Sequence, residues 1–583
     1  MRAMRFVDDS DRLRFGHILG AIESLAEAST KDLSPDEIWP EGAPAMTALR
    51  HSATRRPLAC LLALCVGLSG IPQAAQAQLQ LPALGDVAGD DLSLGAERRL
   101  GEQIMRDIRR DPDYLDDPVL LEYVNSIWHP LVASARKRGD IDAGIEGQFA
   151  LEAFLVRDRS VNAFALPGGF VGVHLGLMAM TSSAEELASV MAHELSHVSQ
   201  RHIARSIGNA QRSSLLSLGA LILGVLAASR ANNPEVAQAA IVGGQAASLQ
   251  GQLNFSRDME READRIGFGV LVAAGFNGAG MAAMFEKLDQ ANRLNDSGAF
   301  PYLRSHPLTV DRMSEARSKV LFAPSSNAST LLHTLMQARA RVLIDGSVDW
   351  QRKLVAASAV SSSAPAVEQL FAHYSRALAA NLLREPERAR AALSEARRLV
   401  LSSADERSQA MRALDLLDVE LRIRDGDFRG AIETLDHFPT RIGSRPVMLL
   451  RTQAIQGAFR SDPANQMAAL KQNVEELQGW ASLHPNDAEV WAALSSGAES
   501  LGMKLRALRA QAEQRAAVGD LTGAIDRLRV GRSMSRPGTA GADFVEASII
   551  DARLRALEGQ RRQWMSDARG DRTSRTDDDP GRH

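Results

Sequence analysis

Ser183-Ala-Glu-Glu-Leu-Ala-Ser-Val-Met-Ala-His-Glu-Leu-Ser-His-Val-Ser-Gln-Arg-His202 is the stretch on which the reading of the chain turns. Ser183 followed three residues later by Glu186 fits a capping box, in which the serine accepts a backbone N–H and the glutamate reaches back. A helix is therefore expected to start there and to carry Leu187 through His202. On a helix, residues four apart share a face, so His193 and His197 can direct both imidazoles at one metal ion. Glu194 stands beside the first of them. Its carboxylate is placed to take a proton from water held at the metal and to pass it to a leaving amine. Leu187-Ala-Ser-Val-Met-Ala192 is uncharged, as a buried helix holding a metal requires. Two histidines on an ordinary soluble helix are the plainer alternative, and the motif is short enough to allow it.

A tetrahedral catalytic site needs a third protein ligand and one open position. Phe255-Ser-Arg-Asp-Met-Glu-Arg-Glu-Ala-Asp-Arg-Ile-Gly267 places Glu260 and Asp264 one helical turn apart. One can bind metal while the other orients a ligand histidine through its free N–H. The residues alone leave Glu262 as a rival ligand, and a solvated charge run as the alternative to any site. Ser305-His306-Pro307 reads by itself as a loop.

Around these motifs the texture is helical. Leu100, Ile104 and Ile108, then Leu121, Val124, Trp128 and Leu131, recur at helical spacing and predict two amphipathic helices. Phe154-Leu-Val156 and Asn162-Ala-Phe-Ala-Leu-Pro-Gly-Gly-Phe-Val-Gly-Val173 form the one clear strand and hairpin region. Leu215 to Ala228 is a Gly-punctuated apolar run of 14 residues. That is short of the roughly 18 to 20 needed to cross a bilayer, so a helix covering the site is preferred to peripheral membrane contact. From 321 to about 560 the pattern repeats. Gly426-Asp-Phe-Arg-Gly-Ala-Ile-Glu-Thr-Leu435 and Gly519-Asp-Leu-Thr-Gly-Ala-Ile-Asp-Arg-Leu528 are two copies of one phrase, with a weaker copy at Pro386–Leu393. They resemble tetratricopeptide repeats, in which small residues let paired helices approach closely; a generic helical bundle is the alternative. The charged stretch 561–583 is expected to be disordered.

Composition supports this division. A chain of 583 residues exceeds one ordinary core, and 45% hydrophobic with only 5% aromatic residues suits packed helices. A net charge of −4 lacks the basic excess of a nucleic-acid binder. Met46 to Arg56 is a basic lead-in, Leu58 to Ile71 an apolar run and Ala75-Gln-Ala77 a small-residue cleavage site, so 46–77 reads as a cleavable secretory signal. Residues 1–45 are then a gene-model extension ahead of the true start. Both cysteines, Cys60 and Cys65, fall inside the signal, and the exported protein is expected to rely on no disulfide.

The combination of Ala192-His-Glu-Leu-Ser-His-Val198, Ser256-Arg-Asp-Met-Glu-Arg-Glu-Ala-Asp-Arg265 and Asn162-Ala-Phe-Ala-Leu-Pro-Gly-Gly169 resembles the HtpX-type zinc metalloproteases, in their soluble, periplasmic BepA-like branch. The resemblance is specific over about 81–320 and looser through the repeats. It implies a mainly α architecture: a zincin-type protease domain (78–320) with a small β-hairpin or sheet, followed by a repeat domain (321–560). It implies one Zn2+ per subunit held by His193, His197 and Glu260, with Asp264 as partner and Glu262 only a neighbour. It further implies that His306 can fill the open zinc position, and that Asn162, Ala163, Phe164, Gly168 and Gly169 line an edge where an extended peptide adds as a strand. The function so implied is a periplasmic endopeptidase acting on unfolded or misassembled outer-membrane proteins, with the repeats docking substrate or the assembly machinery. A chaperone or assembly adaptor with a largely silent zinc site is the alternative. A metal-dependent hydrolase of non-peptide substrates fits the motif chemistry but not the resemblance.

Overall fold

The computed structural model describes residues 92–208, 257–294, 301–320, 330–357, 361, 363–402, 407–438, 443–535 and 542–573. The expected signal (46–77), the stretch before it and the apolar run 215–228 lie outside the described residues. Helix α1 (Leu94–Ile108) starts where Ser93 accepts the Ala96 N–H, and buries Ile104, Met105 and Ile108. After the short strand β1 (Tyr114–Leu115), Asp117 caps α2 (Pro118–Arg138), with proline in the first turn and Gly139, at φ 80°, closing the end. Trp128 of α2 is fully buried and donates its indole N–H to the Leu151 carbonyl at 2.7 Å. Thus the two helices follow the apolar spacing of the sequence. The short helix α3 (Ala143–Gln148) leads into the sheet.

The sheet has four strands in the order β1-β2-β4-β3. Strand β2 (Glu152–Val156) runs parallel to β4 (Phe170–His174), with Phe154 opposite Gly172, and β3 (Ala163–Leu166) is antiparallel to β4. The region 154–173 is therefore not one hairpin: only its second part is, and its first strand enters on the far side of β4. Gly168 and Gly169, at φ 75° and 88°, make the tight β3–β4 turn. A Cβ at Gly168 would lie 2.9 Å from Cα of Arg98 on α1, and one at Gly169 3.0 Å from the Leu151 nitrogen, so both glycines let the turn pack closely on its neighbours. Asn162, Ala163 and Phe164 do lie at the outer strand, and all three are buried.

The short helix α4 (Leu175–Met180) leads to the motif helix α5 (Ala184–Ser199), buried from Glu185 to Ser199. Ser183 accepts the Glu186 N–H at 3.3 Å, while Glu186 accepts from the Ser182 N–H, one residue earlier than a regular box. The helix stops at Ser199, short of the expected His202. Arg201 turns left-handed at φ 51°, and a new helix α6 (His202–Gly208) begins. Helix α7 (Arg257–Ala273) crosses α5 closely because Gly267 has no side chain: a Cβ there would lie 3.1 Å from the Ala192 carbonyl oxygen and 3.2 Å from Cα of His193. Glu260, Asp264 and Gly267 share one face of α7, so the contact that admits Gly267 aims both carboxylates at α5. Helices α8 (Ala279–Leu294), α9 (Pro301–Ser305) and α10 (Val310–Val320) complete this part.

From Thr330 the described chain is helical: Thr330–Leu343 packs on the helix Ala366–Leu382, and from Val348 onward each helix packs on its successor. The two copies of the repeated phrase adopt the same local geometry. Gly426 and Gly519 are left-handed at φ 84° and 79°, and Asp427 and Asp520 cap the next helix by accepting from Gly430 and Gly523 N–H at 2.9 and 2.8 Å. The last helix, 542–573, continues beyond 561, where disorder is expected from composition. Trp564 explains part of the difference, since the guanidinium of Arg106 on α1 stacks 3.9 Å from its ring centre.

A buried arginine helps tie the two regions together. Arg339, buried on α11 (Thr330–Leu343), makes a two-pronged contact with Asp117 at 2.8 Å each and donates to Glu420 at 2.7 Å. Arg339→Met would take the cation from the buried Asp117 and the half-buried Glu420, and breaking a buried pair in this way costs about 3–5 kcal/mol. Urea unfolding should register a loss of that order; a variant as stable as the parent would show that the joint contributes nothing.

Candidate active site

Four buried side chains bring ligand atoms together: His193, His197, Glu260 and His306. Nε2 of His193 lies 2.9 Å from Nε2 of His197 and 3.3 Å from Nδ1 of His306. Glu260 Oε1 is 3.1 Å from His306 Nδ1 and 3.5 Å from His197 Nε2, while Oε2 is 3.5 Å from His193 Nε2. A tetrahedron with spokes of about 2.0–2.1 Å has edges of about 3.3–3.4 Å. The observed spacings scatter around that value, so the donor set fits a small tetrahedral ion, and its mixed imidazole and carboxylate chemistry suits zinc.

The surroundings complete the fit. Asp264 Oδ1 stands 3.0 Å from His193 Nδ1 and presents the carboxylate that orients a ligand histidine. Burial would lower the His193 pKa, but Asp264 and Glu260 push it up to about 10. Burial also opposes the charge on Glu260, yet His306 and His193 hold it well below the usual carboxylate range.

Glu194 differs from the other carboxylates. It is fully buried, its Oε1 3.6 Å from His306 Nε2. Burial raises its pKa, against the pull of His306 and His193, and its carboxyl lies against the backbone of Ala165 on β3. A carboxylate between the ligand cluster and the outer strand can accept a proton from water attacking a peptide laid along that strand.

Three residues of the site were not singled out by the sequence. Arg312 of α10 grips Asp264 through Nε and Nη2 at 2.6 and 2.9 Å, stands 3.0 Å from Glu260 and donates to the Pro307 carbonyl at 2.7 Å. It thereby ties the His306 loop to both acidic residues of α7. Tyr302 stacks on His306 with ring centres 4.7 Å apart. His202 touches the far side of His197, its Nδ1 2.8 Å from that of His197. Glu262, the rival ligand, stands outside the cluster: its Oε2 lies 3.1 Å from His202 Nε2 and accepts from Arg205 at 2.8 Å. A histidine five positions after His197 gave a signal in principle, but an unbroken helix would turn it away. Arg312 sits in an ordinary polar helix and gave none.

The sequence model of peptidase family M48 matches residues 139–320, the part that contains all of these residues. The beta-barrel assembly-enhancing protease of Yersinia pestis is 30% identical over 489 residues, 82% of this chain and 92% of that one. Its counterpart in Escherichia coli is 37% identical over 244 residues, 41% of this chain and 47% of the relative. A Vibrio cholerae protein provisionally given the same description is 38% identical over 301 residues, 50% of this chain and 60% of the relative. The matched part thus spans less than two thirds of the length of the Vibrio and Escherichia relatives.

Proposed function

Since the chain belongs to peptidase family M48, with the beta-barrel assembly-enhancing proteases, we propose that this metalloprotease is a zinc-dependent endopeptidase of the periplasm. Its substrates are misfolded or misassembled outer-membrane proteins, and its repeats dock them or their assembly machinery. One observation carries the reading: a buried donor set with tetrahedral spacings and the buried Glu194 carboxylate beside it, 3.6 Å from His306. His193, His197 and Glu260 would hold the zinc ion, which when bound would supply Lewis acidity to polarise a carbonyl and acidify water. Asp264 fixes the orientation of His193. Glu194 takes the proton of the attacking water and returns it to the leaving nitrogen. The outer strand β3 receives the substrate as an added strand, a mode in which backbone pairing gives weak sequence preference. Unfolded chains then become substrates because their backbone is available. Cleavage of an unfolded outer-membrane β-barrel protein by the zinc-loaded enzyme, with none after chelation, tests the assignment; intact substrate in both arms would defeat it.

The position of His306 favours a resting form of this enzyme and gives the adaptor reading its one support. With Nδ1 3.3 Å from His193 Nε2 and 3.1 Å from Glu260, the imidazole takes the place that water needs. Opening requires the 305–307 loop to move, and a partner drives that only by binding the open form more tightly. His306→Ala should keep zinc on the other three ligands. If the closed form outweighs the open one about 10:1, cleavage rises about tenfold. Casein or autolytic cleavage measured with zinc content decides: full zinc and no gain would remove His306 from regulation and leave the protease assignment standing.

A further inference from the structure

His193 and His197 both turn Nε2 into the donor cluster, so each depends on whatever holds its Nδ1. For His193 that is Asp264 directly. For His197 it is a chain of three groups: Nδ1 lies 2.8 Å from His202 Nδ1, His202 Nε2 lies 3.1 Å from Glu262 Oε2, and Glu262 accepts from Arg205 Nη1 at 2.8 Å. We propose that His202 and Glu262 are positioning residues that fix the tautomer and ring plane of His197, and so make it a metal ligand. The inference rests on the metal site proposed above.

Hydrogen-bond chemistry selects one arrangement of protons. Two neutral imidazole nitrogens 2.8 Å apart share one proton. If His202 supplied it, His197 would carry its own proton on Nε2 and could not bind metal, and the bare Nε2 of His202 would face the Glu262 carboxylate lone pair to lone pair. If His197 supplies it, His202 accepts at Nδ1, carries its proton on Nε2 and donates it to Glu262. Every polar atom is then paired, and the lone pair of His197 Nε2 is free for metal. The negative charge of Glu262 therefore decides the tautomer of a ring it does not touch. Arg205, whose Nη1 donates to Glu262 Oε2 at 2.8 Å, holds that carboxylate in place as the acceptor at the end of the chain of bonds.

The backbone is bent to make this contact. On a continuous helix, residues five apart lie roughly 140° from each other around the axis and cannot meet. The left-handed Arg201 breaks the helix between them, a conformation that is strained for a residue with a side chain. Its side chain is held in place by the buried Glu97 at 3.1 Å and by the Leu92 carbonyl. The strained turn returns His202 to the far face of His197.

Zinc affinity, measured by chelator competition on the full exported chain, tests the proposal without recourse to proteolysis. His202→Leu removes the acceptor and should weaken zinc binding about 10–100-fold, the usual effect of losing such an outer partner. His202→Asn, whose amide oxygen can accept from His197 Nδ1–H, should recover much of the loss. Glu262→Ala leaves His202 in place and should fall between them, with little change in the melting temperature of the metal-free protein. Wild-type affinity in all three variants would overturn the proposal. So would losses that merely follow melting temperature, with asparagine no better than leucine, since that is the signature of a packing role. A parent protein that binds no zinc would overturn the metal centre itself along with the relay.

Discussion

Glu194→Gln is expected to hold zinc as the parent does while its peptide-bond hydrolysis falls by at least about 10²–10⁴-fold. The substitution is nearly isosteric and leaves His193, His197, Glu260 and His306 where they are, so metal binding has no reason to change. What disappears is the carboxylate placed to take the proton of the attacking water: Glu194 is buried beside the ligand cluster, its Oε1 3.6 Å from His306 Nε2. The metal-free variant should be no less stable than the parent, because burial already disfavours the charged carboxylate and the amide is neutral. The measurement is zinc content, melting temperature and turnover on one preparation. Undiminished cleavage would remove Glu194 from the mechanism, while lost zinc would show that its carboxylate belongs to the ligand set.

The second large effect is on metal retention. Glu260→Ala should emerge from purification without zinc and resist reloading at concentrations that saturate the parent. It deletes the only carboxylate among the four converging residues and leaves Arg312, 3.0 Å away, without one of its two acidic partners. The loss should exceed the 10–100-fold expected of an outer partner, and so exceed that of Glu262→Ala. Equal zinc in the Glu260→Ala and Glu262→Ala proteins would overturn the assignment. The comparison is informative because the two glutamates are two residues apart on one helix and point to different neighbours: Glu260 to the ligand histidines, Glu262 to His202 and Arg205.

Local patterns carried much of this in the sequence. The serine cap of α5, the four-residue spacing of His193 and His197, and the one-turn spacing of Glu260 and Asp264 are all properties of single helices, and periodicity reports those. The paired phrases at 426–435 and 519–528 carried their meaning just as directly, since each glycine and aspartate takes the same backbone role in both copies. What stayed hidden was set by distant partners. Parallel pairing of β2 with β4 involves segments not adjacent along the chain, so a hairpin was the natural reading. The helix break at Arg201 lacks a glycine to announce it and depends on Glu97 of α1. The helical character beyond 561 depends in part on Arg106, near the start of the described chain. Arg312 reads as one more surface arginine until the fold brings it against Asp264, Glu260 and Pro307.

The contact between Trp564 and Arg106 bears on how the molecule comes apart. A row of stacked helix pairs ordinarily frays from its outermost unit, which has a neighbour on one side only. Here that unit is moored. Besides the tryptophan stack, Gly519 lies so close to Arg106 that a Cβ would sit 2.5 Å from its Cγ, and farther in, Arg445 bridges Asp116 and Asp487. Beginning and end of the described chain thus close a circuit, and the last helices cannot peel away without first letting go of α1. Because α1 also carries Glu97, which steadies the bend at Arg201, loosening at the far end of the repeats has a short mechanical route to the metal-binding helix.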